Sequence, residues 1–284
     1  MAVGPLSQKP LPTSQASSTS TSSTSQTMSS SPAVRNDALG RQRFAPSFAP
    51  PTGPVKVAFF DADSTLRVAP SGKVSANGPT DVALLPGVAD TLKGLHEAGY
   101  LIAIVSNQNG VEYGHVSLND ADAALQHTIS LIRQAGGEVH TYDFAEAKGA
   151  RRKPDIGMAL DLEAQLTSTF GPHATIDKAQ SIMVGDSAWS TKDVRPDGTP
   201  GKHFSNSDRL FAQNLGVAFH EPADFFGWRA LGVDGFDDHN ALVRFADQRK
   251  SAAQALLGTD TKLTAPTTQA PSTSSALHVR LNHR

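Results

Sequence analysis

Two aspartates two residues apart, in the run Asp61-Ala-Asp-Ser-Thr65, are the first residues of this 284-residue chain whose type and spacing suggest chemistry. A carboxylate can attack phosphorus and form an aspartyl phosphate, which divides one hydrolysis into two easier displacements. A second carboxyl beside it can protonate the departing alkoxide and then activate water. Taken alone, D-x-D also occurs in many solvated loops. Asp61 and Asp63 are set apart by following Val55-Lys-Val-Ala-Phe-Phe60 directly, because open α/β sheets bind ligands beyond the C-terminal ends of their strands.

Further along, Ser106 offers a hydroxyl and Asn107 an amide suited to phosphate oxygens, with turn or helix-cap chemistry as the alternative. Lys153 supplies positive charge for a phosphoryl group in its transition state, although beside Arg151 and Arg152 it also reads as part of a solvated basic loop. Asp186 after Gly185, with Asp208 in support, completes an oxygen-rich set of the kind Mg2+ prefers. Nucleophilic Asp, hydroxyl, Lys and metal-binding Asp thus follow one another in order along the chain.

Positioning these groups requires a scaffold, and the pattern between them supplies one. Short β-branched runs alternate with helical periods, which predicts a parallel sheet covered on both faces. Strands are expected at Val55–Phe60, Leu101–Val105, Val139–Phe144, Ser181–Val184 and Val217–Phe219. Val88, Leu92 and Leu95 recur at helical spacing after Pro86-Gly87, with Gly99 as the stop. A second helix from Asn119 presents Leu125, Ile129 and Ile132 on one face. Further helices are expected at Ile156–Phe170, Asp208–Asn214 and His239–Leu257, and Ala188–Asn206 reads as a loop.

Composition bounds the rest. The apolar fraction is 38%, and the deficit is local: residues 1–46 and 258–284 are Ser, Thr, Pro and Gln tracts with little to bury. They read as a disordered leader and a disordered tail around a domain spanning residues 55–257. The first 35 residues contain no acidic residue and no apolar core of a signal peptide. They fit either a solvated tail or a targeting segment, such as an organelle transit peptide or the leader of a type III secreted effector. Only Lys9 and Arg35 are basic there, which disfavours a mitochondrial address. The formal charge of −2 gives no global attraction to polyanions, and the lack of Cys excludes disulfides and thiolate zinc sites. No apolar run reaches about 18 residues, so no membrane span is expected and the chain reads as soluble.

Asp61-Ala-Asp-Ser-Thr65, Ser106-Asn-Gln108, Lys153-Pro154 and Gly185-Asp186-Ser187 resemble the four motifs of the haloacid dehalogenase (HAD) superfamily of phosphatases. Longer stretches resemble one branch, the DNA 3′-phosphatase domain of polynucleotide kinase/phosphatase: Ser71-Gly-Lys-Val74, Gly78-Pro-Thr-Asp81, Arg152-Lys-Pro154, and Phe204 through Gly216 with Pro222 and Phe225-Phe226. The resemblance covers residues 55–228. It implies an α/β, HAD-like Rossmannoid three-layer sandwich with a mostly parallel sheet and little or no cap domain. It also implies Asp61 as nucleophile, Asp63 as acid/base with its carbonyl reaching the metal, Asp186 as a magnesium ligand, Ser106 and Lys153 on the phosphoryl oxygens, and Asp208 in support. The substrate it implies is a 3′-phosphate at a DNA break, inside the cell or its nucleus.

Three departures qualify that picture. Ser64 stands where the family has Gly, and is expected to fit only with a negative φ. Gly110-Val-Glu-Tyr-Gly114-His115 replaces a basic Gly-Ile-x-Arg-Gly stretch, so Tyr113 and Glu112 become candidates for specificity, with Arg209, Lys192, Arg195, Lys202 and His203 as compensating contacts to nucleic acid. No G-x-x-x-x-G-K-[ST] run occurs, so no ATP site and a phosphatase without a fused kinase are expected. Besides DNA 3′ ends, the same machinery suits another phosphomonoester such as a sugar phosphate, nucleotide or phosphoprotein, and a secreted effector using the fold only for binding is the non-enzymatic alternative.

Overall fold

The computed structural model describes residue 39, residues 41–231 and residues 241–248. Most of the expected leader and the whole expected tail lie outside these residues.

The apolar run before Asp61 forms β1 (Val57–Phe60), with all four residues buried. It lies at the centre of a five-stranded parallel sheet with β4 (Leu101–Asn107), β5 (Thr141–Ala145), β6 (Ile182–Val184) and β7 (Ala218–His220), in the order β5-β4-β1-β6-β7. Parallel neighbours need crossovers. Helices α1 (Val88–Glu97), α2 (Leu118–Gln134), α3 (Gly157–Phe170) and α4 (Ser207–Leu215) provide them.

Strand residues alternate between the two faces, so β1 divides its side chains between two cores. Ala58 and Phe60 join Ile102, Ile104, Leu92, Leu125, Ile129 and Ile132 on the α1/α2 face. Val57 and Phe59 join Leu101, Met158, Leu162, Leu166, Phe211 and Leu215 on the α3/α4 face. Truncating a buried Phe such as Phe60 to Ala would cost roughly 3–5 kcal/mol. The three layers agree with the expected α/β sandwich.

Local signals explain the boundaries. Ser117 caps α2, its Oγ accepting from Asp120 N at 3.0 Å. Gly216 ends α4 in the left-handed region at φ 83°. Each expected strand shifts by one or two residues at an end: β1 starts at Val57, β4 continues through Ser106 and Asn107, which pair with Phe144 and Ala145, β5 starts at Thr141, β6 at Ile182 and β7 at Ala218. Of the expected His239–Leu257 helix, residues 241–248 are helical, and Leu242 and Phe245 are buried near Trp228. Its remaining positions lie outside the described residues.

Two features were not anticipated. Between Thr65 and Pro86 the chain forms an antiparallel pair, β2 (Arg67–Val68) and β3 (Ala83–Leu84), joined by a loop in which the Asp81 carboxylate accepts from Ser71 and Asn77. The leader boundary at residue 46 also needs correction. Arg41 and Gln42 are buried, Gln42 N donates to Tyr142 O at 2.8 Å and Ala45 N to His140 O at 2.7 Å. Residues 41–45 therefore run along the outer edge of β5 as a strap, anchored by Arg41 to Glu146 and Gln42 to Asp143. Among the described residues, no helix is long and apolar enough to cross a membrane.

Candidate active site

The parallel sheet brings the C-terminal ends of β1, β4 and β6 side by side. The backbone there is registered directly, with Asp61 N donating to Val184 O at 3.0 Å and Asp186 N to Thr65 Oγ1 at 3.2 Å. A cavity of about 220 Å³ opens over these ends, and Asp61, Asp63, Ser64, Ser106, Lys153, Asp186 and Asp208 are among its lining residues.

Lys153 is its organising cation. Its Nζ lies 2.8 Å from Asp61 Oδ1 and 2.7 Å from Asp208 Oδ1, with the side chain 1% exposed. The solvated-loop reading of Lys153 is thereby set aside. Its main chain is held by Asn107, which donates from Nδ2 to Lys153 O at 2.9 Å and accepts at Oδ1 from Lys153 N at 3.0 Å. The Asn107 amide, assigned to phosphate oxygens from its type, is thus engaged in placing the lysine. Ser106 is buried, and its Oγ accepts from Gln108 Nε2 at 2.9 Å. That bond leaves the hydroxyl proton for a phosphate oxygen.

Asp61, Asp186 and Asp208 bring carboxylate oxygens within 4.8 Å of one another. Asp208, expected in support of the site, is itself one of these three clustered carboxylates. It approaches because Gly185 lacks a side chain: a Cβ there would collide with the Asp208 carboxylate. Burial pushes the Asp61 carboxyl up to about 6; Lys153 opposes the rise, and Asp208 and Asp63 add to it. Burial, then the charges of Asp61 and Asp208, raise Asp186 well above the usual carboxylate range.

This donor set fits a hard divalent cation. It is all oxygen, as magnesium prefers. Three carboxylates, Asp61, Asp186 and Asp208, face one buried cation, Lys153, so the cluster carries the excess of acidic groups that such an ion neutralises.

Asp63 stands apart. Its Oδ1 accepts from Arg67 Nε at 2.9 Å, and its Oδ2 from Arg67 Nη2 at 3.3 Å and Gln108 Nε2 at 2.8 Å. Its carboxylate is not one of the three clustered ones. Neither Arg67 nor the amide of Gln108 was singled out from residue type, although Asp63 and Arg67 stand at the i,i+4 spacing of an ion pair.

Ser64 has φ 60°, so the negative φ at which a serine would fit this turn is not met: it occupies the left-handed conformation a glycine would take. Arg209 also departs from expectation. Its guanidinium stacks 4.2 Å over Trp189, donates to Ala188 O at 2.8 Å and meets Asp193 at 3.5 Å, so it braces the 188–206 loop. His203 does likewise, its Nδ1 accepting from Trp189 N at 3.0 Å. Tyr113 is 58% exposed on a turn tied to Asn109 and Gly110 of the cavity wall. Val74 and Phe204, both strongly exposed, stand at the cavity mouth.

Comparison with known proteins places this geometry. Residues 56–226 match the family model described as Polynucleotide kinase 3 phosphatase. An uncharacterised 20.8 kDa protein of Autographa californica nuclear polyhedrosis virus is 36% identical over 171 residues, 60% of this chain and 85% of the viral one. The bifunctional polynucleotide phosphatase/kinase of Schizosaccharomyces pombe is 30% identical over 65% of this chain, which spans only 41% of that protein's length. A D-glycero-beta-D-manno-heptose-1,7-bisphosphate 7-phosphatase of Rhodopseudomonas palustris is 29% identical, over 44% of this chain and 71% of that protein. Among solved structures, the heptose 1,7-bisphosphate phosphatase of B. bronchiseptica, crystallised with magnesium and phosphate, aligns over 70% of this chain and 99% of its own at 20% identity and a TM-score of 0.45. With the family model covering more than half of the residues, including every strand that carries the site, this chain belongs to the Polynucleotide kinase 3 phosphatase family.

Proposed function

We propose that this protein is a magnesium-dependent phosphomonoesterase that works through an aspartyl phosphate and removes 3′-phosphates from DNA ends. The observation that carries the reading is the Lys153 ammonium shared between Asp61 and Asp208 at the floor of the cavity. It holds the Asp61 carboxylate oriented and supplies charge to a phosphoryl group entering there.

In this mechanism an Asp61 oxygen attacks phosphorus as the bond to the ester oxygen breaks, and that oxygen takes a proton from the Asp63 carboxyl. The alcohol leaves, and Asp61 carries the phosphoryl group. Asp63, now a carboxylate, takes a proton from water; the resulting hydroxide attacks phosphorus, and inorganic phosphate departs with Asp61 restored. Ser106 donates its hydroxyl proton to a phosphoryl oxygen. Asp61, Asp186 and Asp208 would hold the magnesium ion, which, when bound, neutralises charge on the phosphoryl oxygens.

A DNA end as substrate is supported by the family and by the open mouth, where exposed Val74 and Phe204 offer apolar surface to a base. A second reading, a small sugar phosphate, is favoured by a specific observation: Lys153 and Arg152 are the cations lining the cavity, while Arg209 is engaged with Trp189 and Ala188. A substrate panel separates the two. Phosphate release from a 3′-phosphorylated nicked duplex or single strand, lost in EDTA and in Asp61→Asn, is the expected result. Release from sugar phosphates with the oligonucleotides untouched would overturn the DNA reading.

A further inference from the structure

Arg67 is an arginine in a place where arginine is unexpected. It follows Leu66 and precedes Val68, both core residues, and is itself 0% exposed. Taking a guanidinium fully out of water is costly, and replacing a buried ion pair with apolar residues is often neutral or stabilising. Stability of the fold therefore does not account for a charge at this position.

Its contacts point to another role. Two of its nitrogens grip the two oxygens of Asp63, and the third, Nη1, donates to Thr128 Oγ1 at 3.0 Å. Thr128 is fixed in turn on α2, donating to Ala124 O at 2.7 Å. Gln108 closes the arrangement by donating to both Asp63 and Ser106. Asp63 is thus tied to the body of α2 through one guanidinium, and its carboxylate is kept out of the Asp61, Asp186 and Asp208 cluster.

We propose that Arg67 is a positioning residue for Asp63: it fixes the carboxyl as the acid/base of the reaction and prevents it from turning into the cation site. The inference rests on the phosphomonoesterase reading above. A proton donor must stay within hydrogen-bond reach of the departing oxygen. A carboxylate free to rotate would be drawn instead to a neighbouring divalent cation.

The consequence is readable in the leaving group. An alkoxide, such as the deoxyribose oxygen of a 3′-phosphate, needs the proton as the bond to phosphorus breaks; p-nitrophenolate departs without it. In single-turnover experiments with enzyme in excess, Arg67→Met is expected to slow release of the alcohol from a 3′-phosphorylated oligonucleotide roughly 10²-fold, leave the half-saturating concentration within about twofold, and change the first-step release of p-nitrophenolate from p-nitrophenyl phosphate by less than about fivefold, on the order expected when no proton is required. Asp63→Asn should show the same contrast in that first step, while its loss of the water-activating base lowers steady-state turnover on both substrates. Thr128→Val, which removes the tether and keeps the pair, should show it more weakly and guards against an Arg67 variant that does not fold. Equal first-step losses on both substrates, or an unchanged first step on the oligonucleotide, would overturn the inference while leaving the phosphatase reading intact. If the wild type prefers small substrates, glycerol phosphate takes the place of the oligonucleotide. A wild type inactive on every phosphoester sinks the parent reading first, before any variant is assayed.

Discussion

Lys153 and Asp61 meet at 2.8 Å, ammonium to carboxylate, at a depth where the lysine side chain is 1% exposed. Burial alone would weaken the hold of Lys153 on its proton, but the charges of Asp208 and Asp61 reverse this and raise its proton affinity above the usual lysine range. The lysine stays charged throughout the working pH range. Lys153→Met should lower kcat at least about 10²-fold and, by leaving buried carboxylates unpaired, destabilise the fold by roughly 3–5 kcal/mol. Steady-state assays and denaturant unfolding check the two effects. Lys153→Arg should not restore activity, because a planar fork cannot replace a compact ammonium between two carboxylates.

Crowded carboxylates make the fold responsive to a cation. Asp61 and Asp186 are both pushed up by burial and by neighbouring charge, and a divalent ion relieves that repulsion. Magnesium at a hundredfold excess over its Kd should stabilise the protein by about 2.7 kcal/mol, visible as a Tm shift in differential scanning fluorimetry. Asp186→Asn should abolish most of the shift, and a full shift in that variant would remove Asp186 from the ligand set.

At Ser64 the cost is conformational. A side chain held at φ 60° carries roughly 1–2 kcal/mol of strain. Ser64→Gly relieves it, though part of the gain is offset by the greater freedom of glycine in the unfolded chain. Tm should rise in Ser64→Gly and stay level in Ser64→Ala; a rise in both would show that the hydroxyl, and not the backbone, is the source.

His140 gives the fold an acid limit. Its Nδ1 accepts from Ile102 N at 2.8 Å, so the neutral ring carries its proton on Nε2, which lies 3.0 Å from His96 Nδ1. Burial first, then the His96 charge, lowers its pKa to about 4. Because the unfolded ring titrates near 6.5 and the folded one near 4, the unfolded state binds more protons between these values. Stability should therefore fall as pH drops through that window and be fully present above it. Thermal unfolding from pH 4 to 8 should show a steeper acid decline in the wild type than in His140→Gln, and parallel curves would remove His140 from the explanation.

Much of this architecture is legible in one sequence because its signals are local. The spacing of Leu125, Ile129 and Ile132 marks the buried face of α2, Gly99 and Gly216 mark helix ends, and the apolar run before Asp61 marks the central strand. The site is legible as an order of residue types at strand ends. What escaped depends on partners distant in sequence. Arg67 carries no signal by residue type, and its place is set by Thr128 and Asp63, which surround it in the fold. Asn107 reads as a phosphate ligand until the Lys153 main chain occupies it. Arg209 reads as a substrate contact until Trp189 and Ala188 claim it. The φ of Ser64 is set by the turn that returns the chain to Arg67 O, 2.8 Å from its N–H, and residue type does not encode that turn.

The strap along β5 carries a consequence for how the domain assembles. Gln42 and Asp143 are separated by 101 positions, and Arg41 and Glu146 by 105. On the ribosome the strap emerges long before the strand it covers, and contacts this remote in sequence close slowly. Until β5 has been made and laid against β4, residues 41–45 have nothing to pair with, and the new sheet presents an unpaired rim open to other chains. Docking of the strap therefore requires β5 to be in place, and a truncation that ends among these residues is expected to leave that rim uncovered.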